Sequence, residues 1–283
     1  MPEPIARVRL LAVDLDGTLL NSESEVSEVN RRALRDAADC GVQIVVVTGR
    51  RFHSAARLVA QIPCPVTVIS SNGARIGSVA GDRYHQDFLP RWLARQTLEA
   101  SRDFRRYAVL IFDLAGRGQV VMQDGATPDG PLGWYLRNAP DALLMASDLE
   151  GALDEDPIQV MFGGPSVSLD PLEEVLRRSP AGPALQLTWT RYPARNISLL
   201  DVMNLGCTKG SALSRWCREC GIAAEHVMAI GDNHNDCEML GFAGYPVLMA
   251  NRPPSVDGAG CLVTLSNDQD GVAAAIERFI LKP

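Results

Sequence analysis

Short apolar runs that break off in polar chemistry recur along this chain and leave it few ways to fold. Val8 to Val13 suits a buried parallel strand and stops at Asp14-Leu15-Asp16-Gly17-Thr18. Val42 to Val47 stops at Thr48-Gly49-Arg50, and Val227 to Ile230 stops at Gly231-Asp232. Helical patterns separate these runs. Ser27 is placed to cap a helix with apolar positions at Val29, Ala33, Leu34, Ala37 and Ala38, and Gly41 lies past its end. A helix from about Arg51 to Ala60 precedes a third strand, Val66 to Ser70. Strand and helix alternating through short connections predict right-handed crossovers and a parallel sheet covered by helices. The end of the chain returns to this style. Helices are expected over Thr208 to Cys220, Cys237 to Leu240 and Gly271 to Leu281, with strands at Tyr245 to Met249 and Cys261 to Thr264.

The middle differs. Asn72-Gly73 and Gly81-Asp82 are turn signals flanking short strands, and a helical segment from about Pro90 carries Trp92, Leu93 and Leu98. Strands are expected at Tyr107 to Phe112, Gln119 to Met122, Ile158 to Phe162, Leu185 to Thr190 and Asn196 to Asp201. A Gly/Pro/Asp-rich loop runs from Gly125 to Gly133, and Pro171 near a first turn opens a helix over Asp170 to Arg177. This predicts an α+β unit with an antiparallel sheet. Thr48 and Lys209 stand 161 residues apart. One more strand and helix takes roughly 30 to 50 of these, and the remaining ~100 are a domain's worth. The 283-residue chain is therefore expected to hold a core built from residues 1–83 and 203–283, with residues 84–202 inserted as a second domain.

Composition bounds the function. At 46 % apolar residues the chain can build a real core, which excludes wholesale disorder. A net charge of −7 argues against a nucleic-acid surface. An anionic substrate remains compatible if its site is locally positive or holds a metal. No stretch reaches the ~18 apolar residues of a membrane span, and the N-terminal apolar run stops too early for a signal-peptide core. Seven cysteines, an odd number, point to a reducing cytoplasm rather than a disulfide framework. Cys217 and Cys220 form a CxxC that closes a helix instead of opening one, the pattern of ordinary buried thiols.

Four clusters carry chemistry: Asp14 to Thr18, Thr48 to Arg50, Lys209 in Thr208-Lys209-Gly210, and Gly231 to Asp236. In an open parallel sheet, ligands bind at the carboxyl ends of the strands, and there all four would converge. Asp14, Asp16, Asp232 and Asp236 would crowd carboxylates that need a cation between them. Oxygen donors without a His/Cys cluster point to Mg²⁺ before Zn²⁺. A lysine, a threonine hydroxyl and helix N-termini suit a phosphate. Together these suggest phosphoryl transfer, and with no nucleotide-binding fingerprint, attack by a carboxylate on phosphorus.

DLDGTLL, TGR, TKG and GDNHND, in that order, resemble the motifs of the haloacid dehalogenase (HAD) superfamily. SNGA at Ser71 to Ala74 and VTLSNDQDGVAAAI at Val263 to Ile276 resemble its Cof-type, class IIB branch of sugar-phosphate phosphatases. The resemblance implies an α/β fold: a Rossmannoid core with helices on both faces of a parallel sheet, and an inserted α+β class II cap that closes over the site and chooses the substrate. It makes Asp14 the nucleophile and Asp16 the acid that protonates the leaving oxygen and then activates water. Thr48, Gly49 and Lys209 would hold the phosphoryl group with the Leu15 amide, and Asn72 would also bind substrate or phosphate. The Asp14 carboxylate, the Asp16 carbonyl and the Asp232 carboxylate would bind Mg²⁺. Asp236 would orient that shell or Lys209, and Asn235 would contact the phosphoryl group or the substrate. Arg50 is either a substrate contact or half of a structural ion pair. The implied protein is a cytoplasmic phosphomonoesterase for a sugar phosphate or other small phosphorylated metabolite, a monomer or weak homodimer. A phosphohexomutase, or a mannosylglycerate-, sucrose- or trehalose-type phosphatase, is the alternative on the same fold. A catalytically silent binding module is the alternative of another class.

Other residues have plainer readings. His234 reads as a loop residue, Asp154-Glu155-Asp156 as a solvated loop, and Trp92, Trp134, Trp189 and Trp216 as core. Trp134, Tyr135 or Arg191 would be the cap's contact with substrate. The stretch from Gly244 to Pro254 departs from the family's Gly-Val-Ala-Met-Gly-Asn-Ala-like pattern, which bears on substrate range.

Overall fold

A computed structural model of the chain describes residues 8–125, 142–192 and 196–282. The chain begins β1 (Leu10–Val13), α1 (Glu28–Asp39), β2 (Gln43–Val47), α2 (Phe52–Val59), β3 (Val66–Ser70), β4 (Arg75–Ser78) and β5 (Arg83–Gln86). It continues through α3 (Arg91–Ala100), β6 (Ala108–Ile111), β7 (Val120–Gln123), β8 (Leu143–Ala146), β9 (Gln159–Gly164), α4 (Ser166–Arg178), β10 (Leu185–Tyr192) and β11 (Ile197–Asn204). It ends with α5 (Lys209–Glu219), β12 (Val227–Gly231), α6 (Cys237–Phe242), β13 (Tyr245–Leu248), β14 (Leu262–Val263) and α7 (Gly271–Ile276). Two compact units result, Met1–Gln86 with Thr208–Pro283, and Asp87–Cys207. The spacing predicts boundaries at 83/84 and 202/203, and both of these fall inside strands, β5 and β11.

The first unit is built on a sheet of order β14-β13-β12-β1-β2-β3-β4-β5, parallel from β14 to β3. A tight turn at Ser71–Gly73 then folds β4 back antiparallel onto β3. Alternation along β1 explains the helices on both faces. Leu11 and Val13 pack with Ala33, Leu34 and Ala37 of α1, Ala55 and Val59 of α2, and Val272 and Ile276 of α7. Leu10 and Ala12 point the other way, to Ala212, Leu213 and Cys217 of α5 and Met239 and Leu240 of α6. All four β1 side chains are fully buried, each large one stabilising the fold by about 1.5–3 kcal/mol. Ser27 caps α1 as expected, its hydroxyl accepting from the Asn30 amide at 3.0 Å.

The second unit is a sheet of order β10-β11-β9-β6-β7-β8. Leucines of α3 (Leu93, Leu98) and α4 (Leu169, Leu172, Leu176) pack on Leu110, Val160, Phe162, Leu200 and Val202 on one face. Several expectations are corrected. The sheet is not wholly antiparallel, since β7 and β8 pair in parallel. Strand β8 is a half-exposed edge, yet its four residues are all apolar, so it lacks the alternation that marks such a strand. Helix α4 begins at Ser166, a turn and more before Asp170, so Pro171 lies inside it. The proline's missing amide forgoes the bond to the Val167 carbonyl, while the Ser168 and Leu169 amides close the first turn onto Pro165. In the first unit the closing helix is α-helical only to Ile276 and then widens into a π-turn over Glu277–Leu281. Trp92 is 58 % exposed rather than core.

Candidate active site

Strand β1 lies between β12 and β2, all parallel, so three neighbouring strand ends deliver Asp14, Asp232 and Thr48 side by side. The chain leaves β1 toward β2 and β3 and later returns to β1's other side with β12. That reversal is the switch point where open α/β sheets bind ligands. The Asp14 amide donates to the Ile230 carbonyl at 3.0 Å, and the Thr48 amide to the Ile69 carbonyl at 2.8 Å, carrying the ladder to the edge of the site.

Lys209 enters from the first turn of α5. Thr208 caps that helix reciprocally with Ser211, at 3.0 Å each way, and its hydroxyl also donates to Glu238 on α6. The Lys209 side chain is 1 % exposed, and its Nζ donates to Asp14 Oδ1 at 2.6 Å and Asp236 Oδ1 at 2.7 Å. Asp236 Oδ2 in turn accepts the amides of Asp232 and Asn233, both at 3.0 Å. A buried ammonium is tolerable only with such partners. Here one cation faces three buried carboxylates, because Asp232 joins Asp14 and Asp236 with one oxygen from each within 4.8 Å of the others.

That donor set fits a hard divalent cation: carboxylate oxygens only, buried, with excess negative charge. The rest of the loop is built around it. Thr18 Oγ1 donates to Asp232 Oδ1 at 3.0 Å. Gly17 has φ +83°, and a β-carbon there would stand 2.5 Å from Asp232 Oδ2, so only glycine lets the two loops close. Burial pushes the Asp14 carboxyl up to about 7 against the pull of Lys209, with the Asp236 and Asp16 charges adding to the rise. Asp232 is raised well above the usual carboxylate range, first by burial and then by Asp14 and Asp236. Burial alone would lower the Lys209 ammonium, but Asp14 and Asp236 outweigh it and the net direction is up. The two partners' shifts thus oppose each other on the Asp14–Lys209 contact. At 2.6 Å the geometry favours the charged pair, with the surplus carboxylate charge left for a cation to offset.

A second lobe of the site is backbone-rich. The Thr48 hydroxyl accepts the Arg50 amide at 3.1 Å, and the Asn72 amide donates to the Thr48 carbonyl at 3.0 Å. Ser71 and Asn72 both sit in the left-handed region, at φ 49° and 51°, a strained pair of non-glycine residues of the kind found at ligand-holding turns. Asn72 Oδ1 accepts from Asn235 Nδ2 at 3.0 Å, which joins the Ser71–Gly73 turn to the GDNHND loop. A β-carbon on Gly49 would meet that Asn72 oxygen at 3.1 Å. Asp16 faces elsewhere. Its carboxylate is held by Arg50 Nε at 2.7 Å and Nη2 at 2.5 Å, a two-point ion pair at the partly exposed mouth. Arg50 is therefore an ion-pair partner, and the Asp16 side chain lies outside the three-carboxylate cluster.

The motifs thus assemble Asp14, Thr48, Lys209, Asp232 and Asp236, with Gly49, Asn72 and Asn235 beside them and Leu15 buried behind. Thr18 and Glu238 were not singled out by sequence, though each sits inside or next to a motif. His234 opens a 3₁₀ turn, His234–Asp236, its amide donating to Asn233 Oδ1 at 2.9 Å. Cys217 is buried and Cys220 half-buried, and burial pushes both thiols up, Cys217 to about 12. Asp154, Glu155 and Asp156 are exposed. In the second unit Arg191 pairs with Asp170 at 3.0 Å and lies 4.3 Å over the Trp189 ring. Trp134 and Tyr135 lie outside the described residues. No helix among the described residues is long and apolar enough to cross a membrane.

Known proteins match this chain over nearly its whole length. A family model of haloacid dehalogenase-like hydrolases matches residues 11–276. The phosphatase YwpJ of Bacillus subtilis is 30 % identical, over 96 % of this chain and 100 % of its own length. The 5-amino-6-(5-phospho-D-ribitylamino)uracil phosphatase YcsE of the same organism is 29 % identical, over 97 % and 96 %. The solved structure of a HAD subclass IIB sugar phosphatase, 22 % identical, has the same fold at TM-score 0.75, over 96 % of this chain and 99 % of that one. Match and fold agree with the assembled motifs: the chain belongs to the haloacid dehalogenase-like hydrolases.

Proposed function

We propose that the protein is a Mg²⁺-dependent phosphomonoesterase of small phosphorylated metabolites, with Asp14 as its nucleophile. The observation that carries this is the Asp14 carboxylate at the end of β1, 2.6 Å from buried Lys209 and grouped with Asp232 and Asp236. Mg²⁺ held by Asp14, Asp232 and the Asp16 carbonyl would neutralise phosphate charge next to the nucleophile. Asp236 stands behind this set, fixing Lys209 and the Asp232 and Asn233 amides. Lys209, the Thr48 hydroxyl and the Gly49 amide bind the phosphoryl oxygens, aided by Asn235 and Asn72. Asp14 Oδ attacks phosphorus, the ester oxygen leaves, and an aspartyl-phosphate forms. Asp16 hands its proton to the leaving oxygen and then takes one from the water that attacks the aspartyl-phosphate, which breaks the bond to Asp14, releases inorganic phosphate and restores the carboxylate. That role requires Asp16 to release Arg50, and an anionic substrate gives Arg50 a competing partner.

Substrate choice falls to the second unit in this reading. The relatives' printed substrates, a phosphorylated ribitylaminouracil and a sugar phosphate among them, support phosphorylated polyols and sugars as the class to test. The protein is expected to act in the cytoplasm as a monomer or weak homodimer. The test is phosphate release from a panel of sugar, polyol and nucleotide phosphates with Mg²⁺, repeated with EDTA and with the Asp14→Asn variant. Release that EDTA and Asp14→Asn both abolish supports the reading. Full activity of Asp14→Asn overturns it.

A further inference from the structure

The turn behind Asp14 is gripped from its far side. Within it, the Leu19 and Leu20 amides donate back to the carbonyls of Asp14 and Leu15 at 3.2 and 2.8 Å, and Leu20 bridges to Asp16 and Val26. The Gly17 and Leu20 carbonyls are taken up by side chains more than 230 residues away. Asn251 Nδ2 donates to the Gly17 carbonyl at 2.8 Å, and Asn267 Nδ2 to the Leu20 carbonyl at 2.9 Å. The two asparagines are themselves linked, since Asn251 Oδ1 accepts the Asn267 amide at 3.0 Å. Nearby, Asp268 Oδ1 accepts the Ser22 amide at 2.7 Å and Asp270 Oδ1 the Ser27 hydroxyl at 2.5 Å. The Gly17–Thr18 peptide is thus held at both ends, by Asn251 on its carbonyl and by Asp232 on the Thr18 hydroxyl.

We infer that Asn251 and Asn267 are positioning residues for phosphoryl transfer, which fix the turn carrying Asp14 and Asp16 through the Gly17 and Leu20 carbonyls. A carbonyl on an exposed turn can bond to water in many directions, whereas a tethered amide allows one. Reactions that depend on in-line attack lose rate when the nucleophile moves by about an ångström. The inference rests on the proposed mechanism and adds residues that touch neither phosphate nor metal in it.

The test is Asn251→Asp and Asn267→Asp in the full chain. Each variant keeps side-chain size and the acceptor oxygen but sets an oxygen against a backbone carbonyl. Steady-state turnover of an aryl phosphate should show kcat down about tenfold or more, with KM held within about twofold and the melting temperature barely moved. Asn251→Gln, which retains the amide donor, should recover part of the loss. Wild-type kcat in both Asp variants overturns the inference. So does a melting temperature that falls while kcat per folded molecule stays constant, since that is a structural role only. Asp14→Asn runs alongside: if it is silent while the Asp variants are normal, the positioning role fails alone. If Asp14→Asn turns over normally, the mechanism fails and the positioning role with it.

Discussion

At the scale of single residues, the site is an excess of buried negative charge held in check by Lys209. Lys209→Met leaves Asp14 and Asp236 facing each other without their shared ammonium. It should cost about 3–5 kcal/mol of stability, read by denaturant unfolding, and abolish turnover. The pH dependence has a definite sign. Asp14 and Asp232 are raised above the ordinary carboxyl value of 3.8, Asp14 to about 7, so the folded protein holds protons that the unfolded chain releases. Their contribution to stability is present below that ordinary value and is lost as pH rises toward 7. A cation that binds these carboxylates displaces the protons. The rise in melting temperature on adding Mg²⁺ should therefore be larger at pH 7.5 than at pH 5.5, and an equal rise at both would contradict the charge assignment.

At the scale of elements, what was legible followed the physics of side chains. Strand β1 reads directly because a strand buried on both faces is apolar throughout, and the switch to Asp14 marks where burial by packing ends and chemistry begins. The cap at Ser27 and the helix start at Lys209 read equally well, since both use side-chain hydroxyls. The rest depended on the backbone. Asn267 lies in the VTLSNDQDGVAAAI stretch and Asn251 in Gly244 to Pro254, but both act on carbonyls, which every residue has, so the pattern does not say what they hold. Pro171 resembles a helix start, yet its helix begins at Ser166 and absorbs it. Gly17 tests the closeness of elements. Gly17→Ala forces a β-carbon onto Asp232 at φ +83° and should cost about 1–3 kcal/mol. In calorimetry the variant should bind Mg²⁺ more weakly, and unchanged affinity would show that the two loops can part.

At the scale of the molecule, the acidic chain becomes intelligible. A net charge of −7 suits an enzyme that concentrates carboxylates in one pocket and relies on a cation to admit an anion. The first unit contains every residue assigned to bond-making, and Asp87–Cys207 contains none of them. Replacing residues 87–207 by the equivalent unit of a relative should therefore shift the order of preferred phosphorylated substrates, while aryl phosphate hydrolysis persists and Asp14→Asn still silences it. The most direct test of the whole account is mass spectrometry of the peptide containing Asp14 after rapid quenching of a single turnover. The account predicts a transient phosphoryl adduct on Asp14. Phosphate release with no adduct there, or with one on another residue, would contradict it.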